Sequence, residues 1–426
     1  MSLLIQGGRL IDPRNNVDLV TDIAIKNGKI LAVGSIPHEF EPTNIIDARE
    51  KFVLPGVIDL CARLREPGEE QTATIASEAK AAVSGGITRL VCQPDTWPVI
   101  DTPAMANMVR DRADACGYAH VHPLGALTVG LHGEKLTDMA MLTEAGCVGV
   151  SNGLNAVEST LVMRRALQYA STYDIPVFLA PQDPWLTGNG VVHEGEISTR
   201  LGLPAIPEAA ETVGVARDLA VIETSGARAH INLLSCGRSV TMVAEARSHG
   251  LAVTASVAVH QLIFCESDIG AFNTQFKVLP PLRESTDRDA LLEAVRDEVV
   301  TVICSDHQPH GDDVKLAPFS EAAAGISGLE TLLPLTLSLS AQGHFSLHAA
   351  IAALTCHPAD IIGIDAGHLS IGATADICIF DPALNWTLTT DEIESRGKNT
   401  PLLGQEIKGR ATHTILAGEL VYSRTN

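Results

Sequence analysis

Between residues 1 and 52 the apolar positions fall in short runs separated by turns, as in LLIQGGRLI, DIAIKNGKILAVG and NIIDA, with Asn27-Gly28 as a tight hairpin signal. The end of the chain repeats this texture: ADICIFDP, WTLT and THTILAGELVY are short β runs, the last turning at Ala417-Gly418. Such runs cannot bury their apolar faces separately. The pattern therefore predicts one composite β-sandwich domain built from residues 1–52 and 365–426.

From residue 53 to 364 the rhythm changes to β-branched runs alternating with Ala-rich segments. The eight runs are VLPGVIDL, ITRLVCQPD, HVHPLGALT, GCVGVSNG, IPVFLAPQD, AHINLLS, LAVTASVAV and VVTVICSDH. Helices are predicted in TIASEAKAAVSGG, TPAMANMVRDRADACG, STLVMRRALQYASTY and RDALLEAVRDE, where apolar residues recur at about 3.6 spacing and Gly or Pro stands near the ends. Eight strand–helix units read as an α/β protein with a TIM (β/α)8 barrel. In that fold chemistry sits where each strand runs out at the C-terminal face.

Composition narrows the partners. With 426 residues, 46% hydrophobic and 19% charged, the chain can bury a large core. The net charge of −21 argues against a nucleic-acid or anionic-membrane surface, since both need clustered Lys and Arg. No stretch approaches the ~18 uninterrupted apolar residues of a membrane helix, and the N-terminus lacks a basic leader, so a cytoplasmic protein is expected. Nine cysteines without a CxxC pair suit reduced, buried thiols rather than a disulfide framework or a zinc finger.

Short motifs take their meaning from their placement. GGRLIDP, LPGVIDL with LREPG, GCV, EGEIS, LPPLR, SDHQPH, GLETLLPL, HPADIIGI, ADICIFDP and NTPLLG occur along the chain, several at predicted strand ends. Together they resemble the type I dihydroorotases of the amidohydrolase superfamily, over nearly the whole chain. The resemblance implies a zinc-dependent interconversion of carbamoyl aspartate and dihydroorotate, with metal ligands on the barrel strands.

At those positions this sequence departs from the family. The His-x-His of the first strand is Cys61-Ala62-Arg63, and Arg63 puts a permanent positive charge where the ion would sit. The bridging carboxylate of the fourth strand is replaced within Ser151-Asn152-Gly153. The histidines of the fifth and sixth strands are Ala180 and Leu233. Of six ligands one survives, Asp306, too few for a catalytic zinc that takes three protein ligands and water. Arg65, which the resemblance pairs with a substrate carboxylate, is kept; the Asn of the second-strand loop is Asp95, an acid expected to repel an anionic substrate.

Other residues carry two readings each. Asp306 with His307 and His310 is a relic acid–base group or a loop-holding network, and the second is preferred. Arg65 is an anion anchor or is paired internally. His120-Val121-His122 imitates a ligand motif but falls at the start of the third strand, at the wrong end of the barrel. His260 reads as core, and Cys61 as a buried thiol unless the neighbouring arginines lower its pKa.

The resemblance then narrows to the catalytically inactive dihydroorotase-like chains that accompany bacterial aspartate carbamoyltransferase. It implies a pseudoenzyme without metal or cofactor, partnered by the transcarbamoylase catalytic chain and self-associating. The alternatives are a sensor of carbamoyl aspartate or dihydroorotate, and a divergent amidohydrolase with a rebuilt site.

Overall fold

A computed structural model describes residues 2–424. Both ends of the chain enter one eight-stranded sheet, in the order Glu419–Ser423, Glu406–Leu416, Ile377–Thr387, Phe52–Pro55, Ser2–Asp12, Val17–Lys26, Lys29–Val33, with Asn44–Asp47 also against Ser2–Asp12. Its apolar side chains, among them Ile5, Ile23, Ile25, Ile377, Ile379 and Ile415, form a core of their own. The hairpin tips at Asn27-Gly28 and Ala417-Gly418 adopt positive φ and abut so closely that a Cβ on Gly28 would stand 2.8 Å from the Ala417 carbonyl oxygen. Glycine is needed there for both reasons.

The run VLPGVIDL is two strands rather than one. Phe52–Pro55 belongs to the terminal sheet, and Val57–Ala62 opens the barrel. Gly56 makes the break possible, since a Cβ there would lie 2.2 Å from Thr88 Oγ1. The barrel follows as parallel arcs, Val57–Ala62, Ile87–Cys92 and His120–Pro123, then Gly125–Ala126, Val150–Ser151, Val177–Leu179, Ala229–Ile231, Val253–Ala258 and Val302–Cys304. The arcs meet where Leu124 N–H donates to Cys92 O at 2.9 Å and Gly125 N–H to Gly149 O at 2.9 Å. The ring closes through Arg63 N–H to His307 O at 2.9 Å and His307 N–H to Cys61 O at 3.2 Å.

Inside, the barrel is filled. Ile58, Leu60, Val91, Leu124, Phe178 and Val302 pack in its lower part and are capped by Ala359 and Ile362 of the helix Cys356–Ile362. Among the described residues no helix is long and apolar enough to cross a membrane. The register of the first barrel strand against the second shifts between Asp59 and Ala62. That irregularity breaks simple alternation: Ile58 and Leu60 face the interior, and so does Cys61, with Arg63 beyond it.

Candidate functional site: an ion-paired arginine in the barrel mouth

Arg63 dominates the C-terminal face. Its guanidinium is 6% exposed, donating from Nε to Asp95 Oδ2 at 2.7 Å and from Nη1 to Asp306 Oδ1 at 3.2 Å. Gln308 Nε2 donates to both Asp306 oxygens at 3.1 Å, and the Cys61 thiol points at Oδ1 from 3.6 Å. Below this layer Cys61, Leu233, Ala258 and Cys304 pack together with Leu154 against them. An apolar plug and a cation thus fill the space towards which the strand ends converge.

The remaining candidate positions are turned to structural tasks. Asn152 accepts from Thr128 Oγ1 at 2.6 Å and donates to Leu131 O at 3.2 Å and Asn155 O at 3.0 Å, so its amide braces the third-strand loop. Ala180 is half-buried beside Leu154 and Leu233 in a crevice separate from the one that Arg63, Arg65 and Asp95 line. Arg65 donates to Pro309 O at 3.0 Å, meets His310 Nε2 at 3.2 Å and pairs with Glu69 at 3.3 Å. His310 Nε2 also reaches Ala324 O at 2.9 Å. His307 points the other way: its Nδ1 accepts from Gly328 N–H at 3.1 Å and its Nε2 contacts buried Glu78 at 2.8 Å. Neither imidazole bonds Asp306, so the relic acid–base group is not assembled.

One expectation needs correction, and the preferred reading of Cys61 as a buried thiol stands. Asp95 does not stand as a free repelling acid, because its carboxylate is the closer partner of Arg63. The Cys61 thiol is not activated by the arginines: its hydrogen bond with Cys304 pulls the pKa down, but burial and Asp306 outweigh it, and the net shift is upward. The decoy His120 and His122 lie on His120–Pro123 near Arg89, which pairs with Asp376 at 2.6 Å. His260 is buried and pushed down to about 3 by its burial and by Lys315, hence neutral.

Sequence reasoning missed a buried pair that shapes the sixth-strand loop. Glu211 accepts from the backbone N–H groups of Ser235 at 3.1 Å and Cys236 at 3.2 Å, while Arg283 of LPPLR donates to Ser235 Oγ at 3.0 Å and Ile206 O at 3.2 Å. The loop so held carries Leu233 at φ 58°, and Arg65 and Asp306 share the left-handed region at 62° and 45°. Such backbone costs on the order of 1–3 kcal/mol per residue and persists only where the surroundings enforce it.

Burial raises the pKa of Asp306 to about 6 in spite of Arg63. For Arg63 itself burial lowers the pKa, but Asp95 and Asp306 together outweigh it and the guanidinium stays charged. The difference follows from geometry, since the shorter contact goes to Asp95 while Asp306 is fully enclosed. The folded state therefore holds more protons on Asp306 than the unfolded state between the ordinary value of 3.8 and about 6. Its contribution is most favourable below that window, falls as pH rises through it, and is level above. Asp306→Asn, which mimics the protonated form, is expected to be at least as stable as wild type at pH 8, with a gain of at most on the order of 3 kcal/mol. Urea unfolding across pH checks this: the gain must shrink as pH falls below 5, and a constant loss at every pH contradicts it.

Zinc does not fit this donor set. Cys61 and Asp306 are the only possible ligands among the family positions, and a guanidinium stands 3.2 Å from that carboxylate.

The architecture is that of an amidohydrolase, a parallel barrel with a β-sandwich domain assembled from both termini. Comparison with known proteins agrees: residues 50–239 match the Dihydro-orotase-like family and residues 246–422 the Amidohydrolase family. L-Hydantoinase (dihydropyrimidinase) from Arthrobacter aurescens superposes over 100% of this chain and 96% of its own with a TM-score of 0.89, at 21% identity. A Dihydroorotase-like protein of Pseudomonas aeruginosa is 43% identical over 99% of this chain and 100% of its own length. A protein named Dihydroorotase from Anaeromyxobacter dehalogenans is 41% identical over 99% of this chain and 98% of its own. The chain belongs to the dihydroorotase-like amidohydrolases.

Proposed function

We propose that this chain is a catalytically inactive dihydroorotase homologue, serving in the cytoplasm as a non-catalytic assembly subunit of aspartate carbamoyltransferase in pyrimidine biosynthesis. The carrying observation is Arg63, a permanent cation held between Asp95 and Asp306 at the position of a family ligand. It takes up the one carboxylate that survives from the ligand set, and the plug beneath it offers only the buried thiols of Cys61 and Cys304, both held above the ordinary thiol pKa. The assembly role is supported by the resemblance to dihydroorotase-like chains of transcarbamoylase complexes, and by retention of the complete fold around a blocked centre.

A divergent amidohydrolase remains as a second reading, favoured by the 41% identity to a protein named Dihydroorotase. Asn152, Ala180 and Leu233, turned to bracing and packing, weigh against it.

The assembly reading is tested by light scattering coupled to gel filtration, with the transcarbamoylase catalytic chain of the same organism. Obligate interfaces bury about 2,000 Å² or more, enough to survive chromatography. One co-eluting complex larger than either chain is expected; separate elution at micromolar concentration contradicts the reading.

A further inference from the structure

We propose that the mouth of the barrel is a protein-docking face whose occupant is a basic surface of the transcarbamoylase chain, an inference that rests on the function proposed above. Several large apolar side chains are held in solvent on loops that follow different barrel strands: Trp97 (76% exposed), Trp185 (81%), Leu186 (41%), Phe272 (48%) and Leu316 (85%). They come from the second, fifth, seventh and eighth strand loops, so they ring the mouth.

These residues are displayed on fixed backbone. Trp97 N–H donates to Pro67 O at 3.0 Å, tying the second loop to the first, and Gly68 packs so tightly there that a Cβ would lie 2.3 Å from Trp97 O. Trp185 and Leu186 sit on a turn whose N–H groups are capped by Asp183 Oδ1 at 3.0 and 2.9 Å. Leu316 follows Lys315, a buried lysine whose ammonium donates to Thr274 O at 3.1 Å and so pins that loop to its neighbour. Apolar groups pre-ordered in this way lose little further entropy on binding, and tryptophan leads the residues that dominate interfaces.

Charge selects the occupant. The exposed acids on these loops include Glu194, Glu196, Asp268, Glu284, Asp312 and Asp313, against the exposed base Arg200, whereas Lys277, Arg283 and Lys315 are buried. The rim is therefore acidic, on a chain of net charge −21. Two copies meeting through this face would set acid against acid. A partner with Lys and Arg around apolar recesses meets both features at once.

The test compares wild type, Trp97→Ser/Trp185→Ser/Leu316→Ser and Glu194→Lys/Asp312→Lys/Asp313→Lys for equilibrium binding to the purified transcarbamoylase chain, with thermal melts to confirm folding. Each variant is expected to bind at least about tenfold more weakly than wild type at an unchanged melting temperature, and wild-type binding should weaken as salt is raised. Failure of wild type to bind overturns the assembly reading itself. Wild-type binding with undiminished affinity in both folded variants overturns only the docking face. Loss of self-association in the serine variant, with transcarbamoylase binding intact, would assign the face to a second copy and overturn the proposal.

Discussion

Replacing Arg63 by Leu is expected to cost about 3–5 kcal/mol of stability at pH 8, because it leaves the enclosed Asp306 carboxylate without its cation. The cost has a definite pH dependence. Asp306 already titrates near 6 with Arg63 present, and removing the cation raises its pKa further. In Arg63→Leu the folded state takes up a proton on Asp306 as pH falls, which neutralises the stranded charge, so the deficit against wild type should be smaller at pH 5 than at pH 8. Adding Asp306→Asn should recover part of the loss. Urea denaturation of both variants at the two pH values checks the scheme. A deficit under about 1 kcal/mol at pH 8, typical of an exposed pair, would show that the Arg63 pairs are not structural.

The second large effect concerns the partner. The transcarbamoylase chain expressed without this protein is expected to be largely insoluble or to show only a small fraction of its activity, with both restored by co-expression. The reasoning is thermodynamic: a subunit that binds the folded state of its partner shifts the partner's folding and assembly equilibria towards that state by mass action. Soluble yield and carbamoyl-transfer rate per chain are the readouts. A transcarbamoylase fully soluble and fully active alone would remove the assembly role. Asp306→Asn in the complex should leave carbamoyl transfer unchanged, as befits a residue that holds a loop.

Much of the fold was legible because its signals are local. The β texture at both ends, the alternation of β runs with Ala-rich helices, and the hairpins at Asn27-Gly28 and Ala417-Gly418 are each set by a few neighbouring residues. That Ala180 and Leu233 offer no side chain able to bind a metal was legible too, since neither carries a ligand atom. What pairwise chemistry across the barrel decides was not legible. Arg63 and Asp95 read separately as two departures from the family pattern, yet they compensate each other at 2.7 Å. The register shift between Asp59 and Ala62, which turns Cys61 inward, depends on pairing with the neighbouring strand and leaves no trace in periodicity. His307 stood next to Asp306 in sequence, but successive residues diverge, and its ring reaches Glu78 on the helix Ile75–Ser84. Exposure of Trp97 and Trp185 was equally hidden, because an isolated Trp in a loop reads the same whether packed or displayed.

On the proposed function, a hydrolytic centre is closed by a buried ion pair and an apolar plug. That closure is tested most directly by the initial rate of dihydroorotate hydrolysis by the purified chain in zinc-supplemented buffer, alongside Cys61→His/Arg63→His. Both proteins are predicted to give the rate of buffer alone, because the double replacement still lacks the bridging carboxylate at Asn152 and the ligands at Ala180 and Leu233. A zinc-dependent rate above that background in the wild-type chain would contradict the account.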